Sequence, residues 1–248
     1  MCFRPQAVFF DLFNTLLHFD YERLPLVDHR GLARRTTMLK VHRELTREWG
    51  LTHTLSAFLE AFDEATREMY RLKGGGREYP SLARFELLRQ RLGLADKAVS
   101  ERMVEVHMEG MYSMMHRPPE HLEMLQQLQG VPKVLASNFD HAPTARRALK
   151  AFGLEAHLDH IFISDEVGWR KPAPQFFQAI CRQSGFEPSR CVFVGDDPEA
   201  DAGGAGRAGF QVAWLRDGRS LTPSPAPRWT LERVTDLPAI LESASSTG

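Results

Sequence analysis

Polar side chains follow four short apolar runs of this sequence, and their types suit nucleophilic attack on a phosphoryl group. Asp11 comes directly after one run, Ser137 ends a second, and Lys171 follows a third. The acidic pair Asp196 and Asp197 comes directly after a fourth. Such runs are typical of parallel strands that are buried on both faces. Because ligands bind beyond the carboxyl ends of these strands, we predict that the polar side chains meet at one edge of a sheet.

Asp11 is the candidate nucleophile. A carboxylate can attack phosphorus, or carbon that bears a leaving group, and form a covalent intermediate that water then resolves. The opposite charge of Lys171 would keep Asp11 ionised. Lys171 and the Ser137 hydroxyl could also hold the equatorial oxygens of a phosphoryl group, with Asn138 as a further donor. A capping role for Asp11 and a plain strand end at Ser137 are the alternatives when each residue is taken alone.

Three acids, Asp196, Asp197 and Asp201, concentrate negative charge after Gly195. These carboxylates would repel one another unless a cation or Lys171 offset them. Carboxylate oxygens are hard ligands of the kind that Mg²⁺ prefers, so Mg²⁺ is the predicted cofactor. For Asp197, capping of the following helix is an equal alternative.

The elements that must position these residues can be predicted from hydrophobic spacing. Strands and helices alternate after residue 116, which indicates βαβ units and a parallel sheet. Residues 18–115 instead carry apolar side chains at helical spacing, without a convincing strand. We therefore predict an α/β fold with a doubly wound parallel sheet, formed by residues 1–17 and 116–248. Residues 18–115 are predicted to form an inserted all-helical domain of roughly four helices.

The chain order of aspartate, serine, lysine and acidic pair resembles the four motifs of the haloacid dehalogenase (HAD) superfamily of hydrolases. The resemblance covers nearly the whole chain and implies a Rossmann-like core with a helical cap between its first two motifs. It implies that Asp11 is the nucleophile and that the Thr15 hydroxyl orients the site by a hydrogen bond. A plain turn hydroxyl is the alternative for Thr15. The metal would be held by Asp11, the backbone carbonyl of Phe13, and Asp196. Asp201 matches the later acid of the fourth motif, which supports the site without binding the metal.

Two positions depart from the common pattern of the family. Asp197 falls where many relatives carry a small polar residue, and we expect it to lie beside the metal ligands rather than among them. Phe13 replaces a second aspartate that family phosphatases use to protonate the leaving oxygen and later to activate water. Phenylalanine can do neither, and such proton transfer typically contributes about 10²–10⁴-fold to the rate.

Family dehalogenases commonly carry an aromatic residue at the position of Phe13, because a leaving halide needs no proton. They also need no metal and tend to replace the acid that Asp196 matches. Three hypotheses therefore remain. The favoured one is Mg²⁺-dependent hydrolysis of a small-molecule phosphate ester or anhydride through a phospho-aspartyl intermediate. The alternatives are 2-haloacid dehalogenation and phosphate binding with little turnover.

Composition bears on the partners and on the compartment of the protein. The net charge of −1 predicts neither a nucleic acid partner nor a membrane surface, and no apolar stretch is long enough to cross a bilayer. Cys181 and Cys191 are predicted to be buried, reduced thiols rather than parts of a disulfide or zinc site. The start of the chain lacks a signal-peptide pattern, so the cytoplasm is the expected compartment. The oligomeric state is left open.

Overall fold

The computed structural model describes residues 3–216, 218 and 221–246, which divide into two compact units. The core unit contains the residues up to His18, the short segment Gly76–Glu78, and the residues from His116 onward. The insert unit contains Phe19–Gly75 and Tyr79–Met115. Residues 1–2 and 247–248 of the predicted core lie outside the described residues. No helix in the described part of the chain has the length and apolar character needed to cross a membrane.

The strands are, in chain order, β1 (Val8–Phe10), β2 (His18–Phe19), β3 (Leu26–His29), β4 (Leu32–Arg35), β5 (Met115–His116), β6 (Lys133–Ser137), β7 (His160–Ile163), β8 (Val192–Gly195), β9 (Gln211–Leu215) and β10 (Trp229–Leu231). The core unit holds a six-stranded sheet in the order β10-β9-β8-β1-β6-β7, and all neighbouring strands are parallel. The chain moves from β1 to β6 and β7, and then crosses to β8 on the other side of β1. This reversal of strand order beside β1 is where doubly wound sheets bind their ligands.

The helices are α1 (Met38–Trp49), α2 (Leu55–Lys73), α3 (Ser81–Arg91), α4 (Ala98–Ser113), α5 (Glu120–Gln127), α6 (Ala142–Ala151), α7 (Ser164–Val167), α8 (Pro174–Ser184), α9 (Gly204–Arg207) and α10 (Leu237–Ser246). A π-helical turn at Pro198–Gly203 directly precedes α9. Helices cover both faces of the sheet, which confirms the predicted α/β class.

The centre of the sheet is buried because its strands are apolar on both faces. All three residues of β1 have no exposed surface, and the same holds for Val192, Phe193 and Val194 in β8. The rings of Phe9 and Phe193 pack against Phe210, with centroids 5.0 and 5.7 Å from its centroid. Burial of side chains of this size stabilises a fold by about 1.5–3 kcal/mol each. The site residues that follow β1 and β8 are therefore attached to the buried centre of the sheet.

The insert unit contains the four predicted helices, α1 to α4, but it is not all-helical. Strands β3 and β4 form an antiparallel hairpin ahead of α1, which the sequence analysis did not predict. The hairpin turns at Arg30 and Gly31, whose φ values of 58° and 75° suit a two-residue turn with both central residues in the left-handed region. Asparagine or aspartate usually precedes glycine in such a turn, so the Arg-Gly pair does not indicate a hairpin.

Candidate active site

Three neighbouring strands bring their predicted site residues to one edge of the sheet. β1 lies between β6 and β8, and Phe10 is paired with Leu135 on one side and with Val194 on the other. The chain then continues into Asp11, whose backbone N–H donates to the Val194 carbonyl at 2.9 Å. Ser137 ends β6, and Asp196 follows the last residue of β8.

Lys171 lies in the middle of this group and is 2% exposed. Its Nζ donates to Asp11 Oδ1 and to Asp201 Oδ1, both at 2.6 Å. Taking a lysine out of water is costly unless it is paired, and these two carboxylates supply that pairing. The ammonium is thereby fixed beside the candidate nucleophile.

Asn138 holds the backbone of Lys171. The Lys171 N–H donates to Asn138 Oδ1 at 2.8 Å, and Asn138 Nδ2 donates to the Lys171 carbonyl at 2.9 Å. Both ends of the Asn138 carboxamide thus hold the lysine loop against the end of β6. The second N–H of Nδ2 is still a possible donor, so donation to a bound phosphoryl group stays a prediction.

Asp11, Asp196 and Asp201 form a buried acidic cluster, with one carboxylate oxygen of each within 4.8 Å of the others. Asp201 uses Oδ1 to accept from Lys171 and Oδ2 to accept from the Asp197 N–H at 3.0 Å. This arrangement leaves Asp11 and Asp196 as the better candidates for metal ligands. Gly195 permits it, since a Cβ at that position would overlap the Asp201 carboxylate.

Asp197 caps the π-helical turn at Pro198–Gly203. Its Oδ1 accepts from the N–H groups of Glu199 and Ala200, at 2.9 and 2.7 Å. Such capping satisfies backbone donors that the first turn of a helix leaves without partners. The structure therefore supplies the capping role that the sequence left as an alternative for Asp197.

Two hydroxyl groups predicted to serve the site are buried without a protein partner among the described residues. These are Thr15 Oγ1 and Ser137 Oγ, and both residues have no exposed surface. An unsatisfied buried hydroxyl costs about 1–3 kcal/mol, so native proteins rarely keep one without a ligand or water. Both hydroxyls are thus suited to a polar ligand bound at this edge of the sheet.

Phe13 places an aromatic ring where the family's phosphatases carry their second acid. Its ring packs against Phe139, with centroids 4.9 Å apart and planes inclined by 51°. Asn14 follows with a φ of 60°, a value that asparagine tolerates better than most residues, and turns the chain toward Thr15. The turn therefore presents the hydrocarbon rings of Phe13 and Phe139 where the resemblance to the family implies a proton-carrying acid.

The charges of the cluster favour a bound cation. Burial raises the pKa of Asp11 to about 8; Lys171 opposes this rise, while Asp201 and Asp196 add to it. Burial also lowers the pKa of Lys171, but Asp11 and Asp201 more than offset this and leave that pKa above its ordinary value. Three carboxylates thus face one ammonium, and the remaining negative charge favours the protonated form of Asp11. A divalent cation would relieve the same excess and favour ionised Asp11.

Comparison with known proteins identifies the family. A model of haloacid dehalogenase-like hydrolases matches residues 5–209. The chain belongs to this family. The predicted resemblance to HAD hydrolases is thereby confirmed, and the residues matched run from β1 past the acidic cluster.

Relatives within the HAD family include both phosphatases and a dehalogenase. The chain is 35% identical over 123 residues to the N-acylneuraminate-9-phosphatase of Mus musculus, covering 48% of this chain and 50% of that one. It therefore spans about half the length of that curated relative. It is also 29% identical to the (S)-2-haloacid dehalogenase 4A of Burkholderia cepacia, over 84% of this chain and 81% of that one. The crystal structure of a 2-haloacid dehalogenase from Pseudomonas syringae shares the fold, with a TM-score of 0.71, 19% identity, and coverage of 97% and 99%.

The core unit also contains residues near Lys171 that the sequence analysis missed. Phe139 faces Phe13, and its place directly after Asn138 was the available signal. Glu78 and Ser164 form a buried hydrogen bond beside the lysine loop. Glu78 comes from the middle of the inserted sequence, so no local pattern connected it with the motifs.

Proposed function

We propose that this HAD hydrolase is a Mg²⁺-dependent phosphohydrolase that acts on a small-molecule phosphate ester or anhydride through a phosphorylated Asp11. The buried cluster of Asp11, Asp196 and Asp201 around a single lysine carries the proposal. A metal-free halide site has no use for three buried acids, whereas a metal and a phosphoryl group need this arrangement of charges.

In the first step, a carboxylate oxygen of Asp11 attacks phosphorus, and the bond to the leaving oxygen breaks with its electron pair going to that oxygen. Lys171 and the hydroxyls of Ser137 and Thr15 bind the phosphoryl oxygens, whose charge they stabilise during transfer. In the second step, water attacks phosphorus, Asp11 leaves as a carboxylate, and inorganic phosphate is released. Asn138 keeps Lys171 in place during both steps.

Asp11, the Phe13 carbonyl and Asp196 are the residues that would hold the metal. These are hard oxygen donors, and the excess negative charge beside them fits a divalent cation. When bound, Mg²⁺ supplies charge stabilisation to the phosphoryl oxygens. Asp201 stays with Lys171 and the Asp197 backbone, where it supports the site.

Phe13 restricts the substrates that this site can process well. Without an acid at this position, a leaving oxygen must depart unprotonated, which is easiest when it is already a weak base. Aryl and acyl phosphates should therefore be hydrolysed much faster than alkyl phosphates, by up to the roughly 10²–10⁴-fold that a general acid contributes.

Dehalogenation of 2-haloacids is the second candidate, and Phe13 is the observation that favours it. A halide leaves without a proton, so the hydrocarbon wall of Phe13 and Phe139 would not hinder it. A dehalogenase is also among the relatives that match over most of the chain. Phosphate binding with little turnover remains a third candidate, because Thr15, Ser137 and Lys171 would bind the anion even if its hydrolysis were slow.

A substrate panel measured with Mg²⁺ and with EDTA separates these functions. The proposed function predicts release of phosphate from aryl and acyl phosphates in Mg²⁺ and its loss in EDTA. Halide release from a 2-haloacid in EDTA would assign the protein to the dehalogenases instead. Phosphate binding without any turnover would support the third candidate. Asp11→Asn is the control and should abolish either reaction.

We infer that the protein acts in the cytoplasm. Cys181 and Cys191 are both free thiols in the structure. Burial raises the pKa of Cys181 to about 12 and that of Cys191 to about 11, which keeps both unreactive. Cys181 is only half-buried, unlike the prediction, whereas Cys191 is buried as predicted. Free thiols are typical of proteins from reducing compartments.

A further inference from the structure

Gly76–Glu78 belongs to the core unit although it lies in the middle of the inserted sequence. This segment runs antiparallel to the residues just before Lys171, with Arg77 opposite Trp169. The Arg170 N–H donates to the Gly76 carbonyl at 2.9 Å, and the Glu78 N–H donates to the Gly168 carbonyl at 3.0 Å. The backbone leading into Lys171 is thus held by a strand-like partner.

Gly76 is suited to this close approach in two ways. Its φ of 80° lies in the left-handed region that favours glycine. A Cβ at the same position would overlap the Cβ of Ala173, two residues after Lys171. Gly76, the last of three consecutive glycines, therefore lies directly against the lysine loop.

The Glu78 carboxylate adds a side-chain link to this pairing. Its side chain is 2% exposed and accepts a hydrogen bond from Ser164 Oγ at 2.7 Å. Arg170 Nε lies 4.0 Å from the same carboxylate oxygen. A buried carboxylate is costly without partners, and these two groups offset that cost.

Ser164 extends the link to the other side of Lys171. Its Oγ accepts from the Phe139 N–H at 2.9 Å while it donates to Glu78. Phe139 directly follows Asn138, which holds both the N–H and the carbonyl of Lys171. The buried Glu78 carboxylate therefore connects two segments. One is the backbone before Lys171, and the other is the turn after β6, whose Asn138 hydrogen-bonds to the Lys171 backbone.

We propose that Glu78 is a positioning residue for Lys171. It fixes the loop from Gly168 to Lys171 so that the ammonium stays beside Asp11 and the phosphoryl group. The effect on catalysis rests on the proposed function, since it assumes that Lys171 contacts the transition state. A displacement of about 1 Å in such a group can lower the rate by roughly 10²-fold.

Kinetics of Glu78→Ala, Glu78→Gln and Glu166→Ala test this role. Glu78→Ala should lower kcat by about tenfold or more while changing KM by less than about threefold, because the lost contact acts in the transition state. Glu78→Gln should restore most of kcat, since its amide oxygen can accept from Ser164. Glu166 pairs with Arg146 at the surface, close to Ser164 in sequence, so Glu166→Ala should behave as wild type. Wild-type kcat in folded Glu78→Ala, or equal losses in Glu78→Ala and Glu78→Gln, would overturn the proposal.

Hydrogen exchange supplies a readout that needs no substrate. In Glu78→Ala, amide exchange should become faster at residues 168–171 and remain unchanged in β1 and β8. Unchanged exchange in the loop would overturn the proposal, and so would a uniform increase throughout the core unit, which would make Glu78 a general stabilising residue. If the wild type hydrolyses no phosphate, the proposed function fails, whereas the exchange difference still decides whether Glu78 holds the loop.

Discussion

The rings of Phe13 and Phe139 pack with their centroids 4.9 Å apart, beside the nucleophile Asp11 that we propose. Phe13 follows Asp11 by two residues, at the position where related phosphatases carry a general acid. Neither ring carries a proton that it could transfer. Protonation of the leaving group is therefore the part of the proposed reaction for which this position supplies no catalyst.

Phe13→Asp should raise turnover of alkyl phosphates. The new carboxylic acid can protonate the leaving oxygen, so the gain should approach the roughly 10²–10⁴-fold that such catalysis supplies. The kcat/KM of aryl phosphates should rise much less, because it reports the first step, in which their leaving groups need no proton. The measurement is kcat/KM for one alkyl and one aryl phosphate in wild type and variant.

Phe13→Asn is the matched control, since asparagine has the size of aspartate but carries no transferable proton at neutral pH. It removes the ring from Phe139 in the same way. Equal gains in Phe13→Asp and Phe13→Asn would show that space, and not a proton, limits the wild type.

Asp196→Asn should weaken Mg²⁺ binding. The change keeps the shape of the side chain but removes a negative charge that we propose binds the cation directly. Asp197→Asn is the control, because an asparagine oxygen can still cap the turn at Pro198–Gly203. Calorimetric titration of both variants with Mg²⁺ checks this; equal affinities would remove Asp196 from the metal site.

A histidine cluster should make an unfavourable contribution to the stability of the core unit as the pH falls below 6.5. The rings of His116 and His121 lie with centroids 5.7 and 5.6 Å from that of His18. Burial lowers the pKa of His18 below 6.5, and His121 and His116 lower it further, against an opposing effect of Glu120. Burial likewise lowers the pKa of His121.

The direction of this contribution to stability follows from the number of protons that the folded and the unfolded chain bind. Below pH 6.5 the unfolded chain binds protons that folded His18 and His121 resist, so acid favours unfolding. Asp11 acts in the opposite direction, because its raised pKa makes the folded chain bind a proton in this range. We therefore predict a difference between proteins: from pH 7.5 to pH 5.5, the melting temperature of His18→Phe should fall less, or rise more, than that of the wild type. His157→Phe lies outside the cluster and should behave as the wild type does. An unchanged pH dependence in His18→Phe would exclude His18 as a source of the effect.

The positions of the residues at the strand ends could be predicted because a short stretch of sequence specifies each strand. An apolar run such as Val8–Phe10 is long enough to specify a buried strand, and the polar residue after it must then emerge at the sheet edge. Asp11, Ser137 and Asp196 were placed on this argument, and the structure brings them to one edge.

The partners of these residues could not be predicted in the same way. The hydrogen bonds of Asn138 to the Lys171 backbone depend on how two loops approach each other, which no spacing within either loop records. Glu78 reaches the lysine loop from a distant part of the chain, and its burial is visible only once the fold is complete. The hairpin of β3 and β4 was missed because its turn uses Arg30 in a left-handed conformation, which arginine seldom adopts.

Trapping the covalent intermediate tests the central claim most directly. The loss of a general base at Phe13 should slow attack by water, so a phosphorylated Asp11 should accumulate when the leaving group is good. Wild-type protein mixed with an aryl phosphate and Mg²⁺, quenched in acid and analysed by peptide mass spectrometry, should carry one phosphoryl group on the peptide that contains Asp11. Its formation should match a burst of aryl alcohol, and Asp11→Asn should show neither. Hydrolysis of the aryl phosphate by Asp11→Asn at the wild-type rate, with no adduct on Asp11 of the wild type, would contradict the proposed nucleophile.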